Sequence, residues 1–212
     1  MTDFLEIYGR QIAQAAGTHL YYVLLSVAIA FAVSLTLGIL LSRAPRWANI
    51  ILPLLSLFQT VPGIVFIGLL FLAIGIVPAT IIIALAIYAI FPILKNTYVG
   101  IIEVDESYRE AAKGCGMSAL QALIRVELPL ALPAIISGLR MSLVYTVSWA
   151  VLAAMIGLGG LGDLIFAGIS SNNNALILAG ALPAALMAIL CSLGIDLLRG
   201  ILIPRPLRRD VL

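Results

Sequence analysis

Glu110, Ala111, Ala112 and Gly116 stand in a polar stretch, and after nine intervening residues Val126, Glu127, Leu128 and Pro129 follow. The chemistry this pattern suits is recognition of another protein. Ser107 and Glu110 have the spacing of a capping box, in which the serine oxygen accepts the Glu110 amide and the carboxylate reaches back. A short helix is therefore expected from about Tyr108, ending at Gly114 or Gly116. Ser118 and Gln121 repeat the spacing, so a second short helix is expected from about Ala119. Pro129 should bar its continuation, because the residue before a proline avoids the helical region. Two short helices hinged at Gly114-Cys115-Gly116 would result, with Ala111 and Ala112 giving the first a small, smooth face. A plainer role for Glu110 is to cap its helix and pair with Lys113 one turn on, which contributes about 0.2–0.5 kcal/mol.

Other chemistries lack their residues. The only lysines are Lys95 and Lys113, and neither sits in a glycine-rich phosphate cradle, so the chain does not itself hydrolyse ATP. Cys115 lies in the polar stretch and Cys191 in the last apolar segment, which offers neither a disulfide framework nor a metal site. The single histidine, His19, falls at the edge of the first apolar run, where a headgroup-level position is expected. The basic C-terminal residues abut an apolar segment, so lipid headgroups explain them better than nucleic acid does.

The elements that must hold the polar stretch are membrane spans. Of 212 residues, 63% are hydrophobic and 10% charged, whereas soluble domains carry about 25% charged residues. A helix needs about 20 mostly apolar residues to cross the hydrocarbon core. Five windows qualify: 20–41, 50–74, 77–94, 131–157 and 175–198. Runs such as Thr80-Ile-Ile-Ile-Ala-Leu-Ala do not alternate as barrel strands would. The expected fold class is an all-α integral membrane protein, one domain over 1–212. It has a lead-in at 1–18, five transmembrane helices, a two-helix loop at 95–130 between helices 3 and 4, and a basic tail at 199–212.

Arginine and lysine set the expected orientation. Arg43 and Arg46 follow span one; Lys95, Arg109, Lys113 and Arg125 follow span three, with Arg140 just inside span four; Arg199, Arg205, Arg208 and Arg209 follow span five. These regions share one side if the chain crosses five times, and that side is cytoplasmic. The N-terminus, the 75–78 turn and the 158–174 loop are then outside, where Ser170-Ser-Asn-Asn-Asn174 should cap span five. The glycine-rich segment Gly157–Asp163 can turn tightly or admit another backbone.

Within the membrane, span two carries Pro53 and then Gln59-Thr-Val-Pro-Gly63, which predicts a bent helix. Freed carbonyls there must find partners or line a cavity. Gln59, Thr60, Pro62, Tyr145 and Trp149 are the candidates for lining a pathway, with packing between helices as the alternative for the aromatics. Spans one to three are otherwise uncharged, which disfavours an ion-coupled carrier needing buried relays. A non-transporting scaffold is a further alternative, and it need not bind an ATPase.

The loop pattern resembles that of binding-protein-dependent ABC importer permeases: Glu-Ala-Ala, a glycine four residues after the second alanine, then Ile-x-Leu-Pro after nine more, with Val126 here in place of isoleucine. The resemblance implies a type I importer permease core whose loop (Glu110, Ala111, Ala112, Gly116, Val126, Leu128, Pro129) couples to a cytoplasmic ATPase. That partner binds ATP and magnesium, and this chain carries no cofactor. It also implies a second permease, identical or paralogous, an extracytoplasmic substrate-binding protein, and residence in a bacterial or archaeal inner membrane with the N-terminus outside. Thr18-His-Leu20, Phe58–Gly63, Asn96-Thr-Tyr98, Gly159–Asp163 and Ile177–Ala184 resemble the glycine betaine, choline and carnitine permeases in particular. Methionine permeases share the five spans and a similar glycine segment and remain the alternative.

Overall fold

The computed structural model describes residues 2–203. Arg205, Arg208 and Arg209 of the expected basic tail lie outside the described residues. Helices form the architecture: α1 (Thr2–Ser42), α2 (Pro45–Phe58), α3 (Gly63–Ile74), α4 (Pro78–Ile102), α5 (Glu106–Gly114), α6 (Ala119–Ala122), α7 (Leu128–Ala153), α8 (Leu161–Ser170) and α9 (Asn174–Leu202). A π-helical turn, Leu123–Glu127, joins α6 to α7. Four helices are long and apolar enough to cross a membrane, and α2 with α3, bent by 93° at their break, make a fifth span if counted as one.

The core is built on α4, which packs against α1 on one side and α7 on the other. Hydroxyls stitch the three together. Ser26 and Ser34 of α1 donate to the Ile82 and Ile90 carbonyls at 3.1 and 2.9 Å, and Ser142 of α7 donates to the Ala89 carbonyl at 2.8 Å. All three serines are fully buried. Between apolar helices no hydrophobic force favours contact over lipid, so small residues and interhelical hydrogen bonds provide the association. A Cβ added at Gly138 would lie 2.8 Å from the Pro92 carbonyl oxygen, so α4 and α7 approach as closely as glycine allows. The helix α9 leaves a broad apolar face exposed, including Leu186, Leu190, Leu193 and Leu197.

Several expectations are corrected. Residues 2–18 are no separate lead-in but the start of the 41-residue helix α1. The helix of the third span does not stop at 94; α4 runs through Pro92 to Ile102. The 158–174 loop contains α8, which packs against α9. His19 does not face lipid headgroups: it is fully buried in the bundle, and its Nε2–H donates to the Val147 carbonyl at 3.0 Å. The glycine segment covers it, with Gly160 at φ +112° beside the imidazole and Gly159 beside Thr18. Tyr22 adds a bond to the Leu158 carbonyl at 3.1 Å. The Thr18–Leu20 and Gly159–Asp163 segments, distant in sequence, are thus one contact. Asn173 caps α9 through the Ala175 and Leu176 amides, as expected of that polar turn.

Candidate functional site

The loop helix α5 starts two residues earlier than the capping-box spacing suggests. Asp105, not Ser107, is the N-cap, accepting the Ser107 amide at 2.8 Å. Aspartate competes well for this position, and a carboxylate there faces the positive end of the helix. Bonds from the Ser107 hydroxyl and then the Ser107 amide hold the Asp105 carboxyl below its ordinary range. The helix ends in a Schellman motif: the Met117 amide donates to Ala112 O at 3.0 Å and the Gly116 amide to Lys113 O at 2.9 Å. Gly116 takes the left-handed position of that motif at φ +74°. The second capping box, Ser118 with Gln121, is present in both directions.

Pro129 does not end the second short helix. The chain runs on from Ala119 to Ala153 as one helical segment. The reason is the π turn. Proline cannot donate to a carbonyl in the preceding turn, and widening the helix at 123–127 moves the Leu128 amide to the Leu123 carbonyl, five residues back. The 95–130 loop therefore holds one separate short helix, α5, and a second that is the root of a membrane-length helix.

Glu110 and Ala111 are exposed, as are Gly116 and Pro129, while Val126 and Leu128 are half-buried. Ala112 is 2% exposed and faces the chain's own interior, because consecutive residues on a helix point about 100° apart. It cannot share a docking face with Ala111 in this conformation. Glu110 makes neither the reciprocal cap nor a pair with Lys113. Lys113 lies 3.9 Å from Glu106, and among the described residues Glu110 has no ion pair. It presents an uncommitted carboxylate.

The feature that sequence reasoning missed is Glu127, the variable position in the Val126–Pro129 motif. Its side chain is 5% exposed and is held by Arg43, at the end of α1, with Arg109 of α5 at 3.8 Å. Arg109 also donates to the Ile101 carbonyl of α4 at 2.7 Å and to Glu106 at 3.1 Å. One buried carboxylate and one arginine thus tie α5 to α1, α4 and the root of α7. The available signal was an acidic residue inside an otherwise apolar motif, with arginines at both flanking span ends. A second pair, Arg140 with Asp196 at 3.2 Å, links α7 to α9 and accounts for two charges within apolar helices.

The candidate pathway residues divide. Gln59 and Tyr145 share a cavity of about 350 Å³ with Phe91, Lys95, Asn96 and Met141. Thr60 is exposed, its hydroxyl donating to the Leu57 carbonyl at 2.7 Å, and Pro62 is the exposed N-cap position of α3. Trp149 lies outside that cavity. It stacks on Tyr88 with centroids 5.1 Å apart, and its ring occupies the space a Cβ at Gly63 would need. Tyr88, also missed from sequence, holds the bend: its hydroxyl donates to the Val61 carbonyl at 2.8 Å and its ring meets Phe58 and Phe66. Gln59 returns a bond to the Tyr88 carbonyl at 3.0 Å. That carbonyl is four residues before Pro92 and so lacks its usual helical donor.

The chain belongs to the family of binding-protein-dependent transport system inner membrane components, whose model matches residues 28–208. It is a membrane-embedded, non-catalytic permease subunit of an ABC importer. Among its relatives, the carnitine transport permease protein OpuCB of Listeria monocytogenes is 39% identical over 98% of this chain and 95% of its own length. The glycine betaine/carnitine/choline transport system permease protein OpuCB of Bacillus subtilis is 38% identical over 90% and 88%. The osmoprotectant import permease protein OsmW of Salmonella typhimurium is 34% identical over 93% and 94%. The fold matches an inward-facing structure of the MetNI methionine ABC transporter with TM-score 0.82 and 17% identity, covering 91% of this chain and 96% of that one.

Proposed function

We propose that this permease imports quaternary-ammonium osmoprotectants, such as glycine betaine, carnitine or choline. The observation that carries the reading is the 39% identity to a carnitine permease over almost the whole of both chains. The methionine alternative rests on likeness of fold at 17% identity, which says nothing of substrate. Uptake of labelled betaine, carnitine, choline and methionine by cells expressing the complete system tests it; accumulation of methionine alone would refute it.

The partners in this reading are a cytoplasmic ATPase, a second permease, and a binding protein at the opposite face. The ATPase sits on Glu110, Ala111 and Gly116, the exposed part of the loop. A push on α5 then reaches the bundle by two routes, through Arg109 to the end of α4 and through Glu127 to α1 and α7. Glu110→Lys reverses an exposed, unpaired charge, so the fold should tolerate it while ATPase copurification falls. Full copurification would move the docking surface elsewhere.

The orientation in this reading is N-terminus outside, with Arg43, Arg46, Lys95, Arg109, Lys113, Arg125 and Arg199 towards the inside. A cysteine at exposed Ser171 should react with an impermeant thiol reagent from outside, and one at exposed Ser118 only after the membrane is opened, in a Cys115→Ser, Cys191→Ser background. The reverse pattern would overturn the orientation.

A further inference from the structure

Lys95 is a cation in an unusual place. It lies seven residues before the end of α4, about 10 Å inside the helix end at a rise of about 1.5 Å per residue. It is exposed to the 350 Å³ cavity and makes no ion pair among the described residues. Its one recorded partner is the Phe91 ring, 5.9 Å from Nζ. An ionisable group on an apolar helix that faces a cavity marks a candidate solute path.

The cavity's other polar groups narrow what Lys95 can meet. Gln59 and Asn96 each spend one amide N–H, on the Tyr88 and Pro92 carbonyls. Beside their second N–H groups, the side-chain donors lining the cavity are the Lys95 ammonium, its one cation, and the Tyr145 hydroxyl, which has no hydrogen bond among the described residues. No aspartate or glutamate lines it. Across Asn96, which lines both spaces, lies a second cavity of about 450 Å³ bearing Glu103, Asp105 and Tyr108. Eight residues of chain, about 12 Å of helix, separate Lys95 from Glu103. A solute moving along α4 therefore meets first a cation, then two carboxylates and an aromatic face. A simple anion is held by the first and repelled by the second; a simple cation is repelled by the first. A zwitterion suits both.

We infer that the Gln59–Lys95–Tyr145 cavity is a transit subsite in which Lys95 takes the carboxylate of a zwitterionic solute, selecting carboxylate-bearing quaternary amines over choline. The inference rests on the osmoprotectant reading above and adds the residue that discriminates within that class. The trimethylammonium end has the Phe91 and Tyr145 rings available, contacts that attract a cation weakly. One charge-assisted contact is strong enough to choose between solutes and, alone, too weak to trap one.

The test uses the whole transporter, with its ATPase and binding protein, in vesicles supplied with labelled glycine betaine and choline. Lys95→Met should lower the betaine-to-choline uptake ratio about tenfold, the loss of one charge-assisted hydrogen bond, and Lys95→Arg should keep it within about threefold of the wild type. An unchanged ratio in Lys95→Met refutes the subsite. Equal loss of both uptakes also refutes it, since Lys95 would then hold a lipid phosphate or the fold. If the wild type carries betaine alone, the same tenfold loss with recovery in Lys95→Arg supports the subsite and retained uptake refutes it. A wild type that carries neither solute overturns the osmoprotectant reading itself, an outcome distinct from these.

Discussion

At residues 59–62 the chain leaves α2 and turns through 93° into α3, whereas at 123–127 it widens by a π turn and continues into α7. Both places have backbone hydrogen bonds to recover, and they do so by different means. The bend uses neutral groups: the Tyr88 hydroxyl, the Gln59 amide and an aromatic cluster closed by Trp149 over Gly63. The π turn carries a charge, with Glu127 held between Arg43 and Arg109. The difference follows the solvent. A charge far from water costs more than an amide or hydroxyl can return, so the bend within the apolar span is mended without ions. At the loop end the arginines reach water, Arg43 being 47% exposed, and a buried carboxylate can be balanced. The lesson is that the bend is fixed by shape and the loop by charge, and substitutions should separate the two.

The largest effect is expected at the loop. Arg43→Ala combined with Arg109→Ala leaves the Glu127 carboxylate buried without its cations, and stability in detergent should fall by about 3 kcal/mol. Adding Glu127→Gln should recover much of that loss; no recovery would mean that the arginines act by packing alone. At the bend, Gly63→Ala puts a methyl where the Trp149 ring lies. Overpacking of this kind costs about 1–3 kcal/mol. A double-mutant cycle with Trp149→Ala should show coupling, and added salt should leave the cost unchanged; strict additivity would break the shape argument.

Smaller effects sharpen the comparison within the loop. Gly116→Ala must adopt a left-handed conformation at a cost of about 1–2 kcal/mol, while Gly116→Asn, whose side chain tolerates it, should cost less. The same thermal unfolding measurement ranks them, and equal costs would point to a clash instead of backbone strain. The smallest effect concerns Asp105. Its carboxyl is held below the ordinary value of 3.8 by the Ser107 bonds, so its cap is fully present above that pH and is lost as the pH falls through the lowered folded value. Amide exchange in α5 should quicken in that acid window, and Asp105→Asn should flatten the response; an unchanged acid profile in that variant would assign the sensitivity elsewhere.

Much was legible without coordinates because it depends on local chemistry or on solvent. Apolar run length alone demanded an all-helical membrane bundle, since lipid leaves backbone groups no other partner. The Ser118–Gln121 capping box, the Asn173 cap and the break before Gly63 are short-range, and each is where its residues placed it. The pattern from Glu110 to Pro129 carried the family with it. What only the tertiary structure decided is which of two local options won and which distant groups met. Asp105 displaced Ser107 as cap, and Pro129 was absorbed by a π turn, because neighbouring residues offered competing bonds of similar strength. Ala112 turned inward and Trp149 stacked on Tyr88, since a helix supplies both an inner and an outer face and periodicity does not say which neighbour will fill each. Glu127 with Arg43, and His19 with Val147, join residues 84 and 128 apart in sequence. No local pattern encodes such pairs; they exist because the packing of α1, α4 and α7 removes those groups from water and leaves each other as the partners within reach.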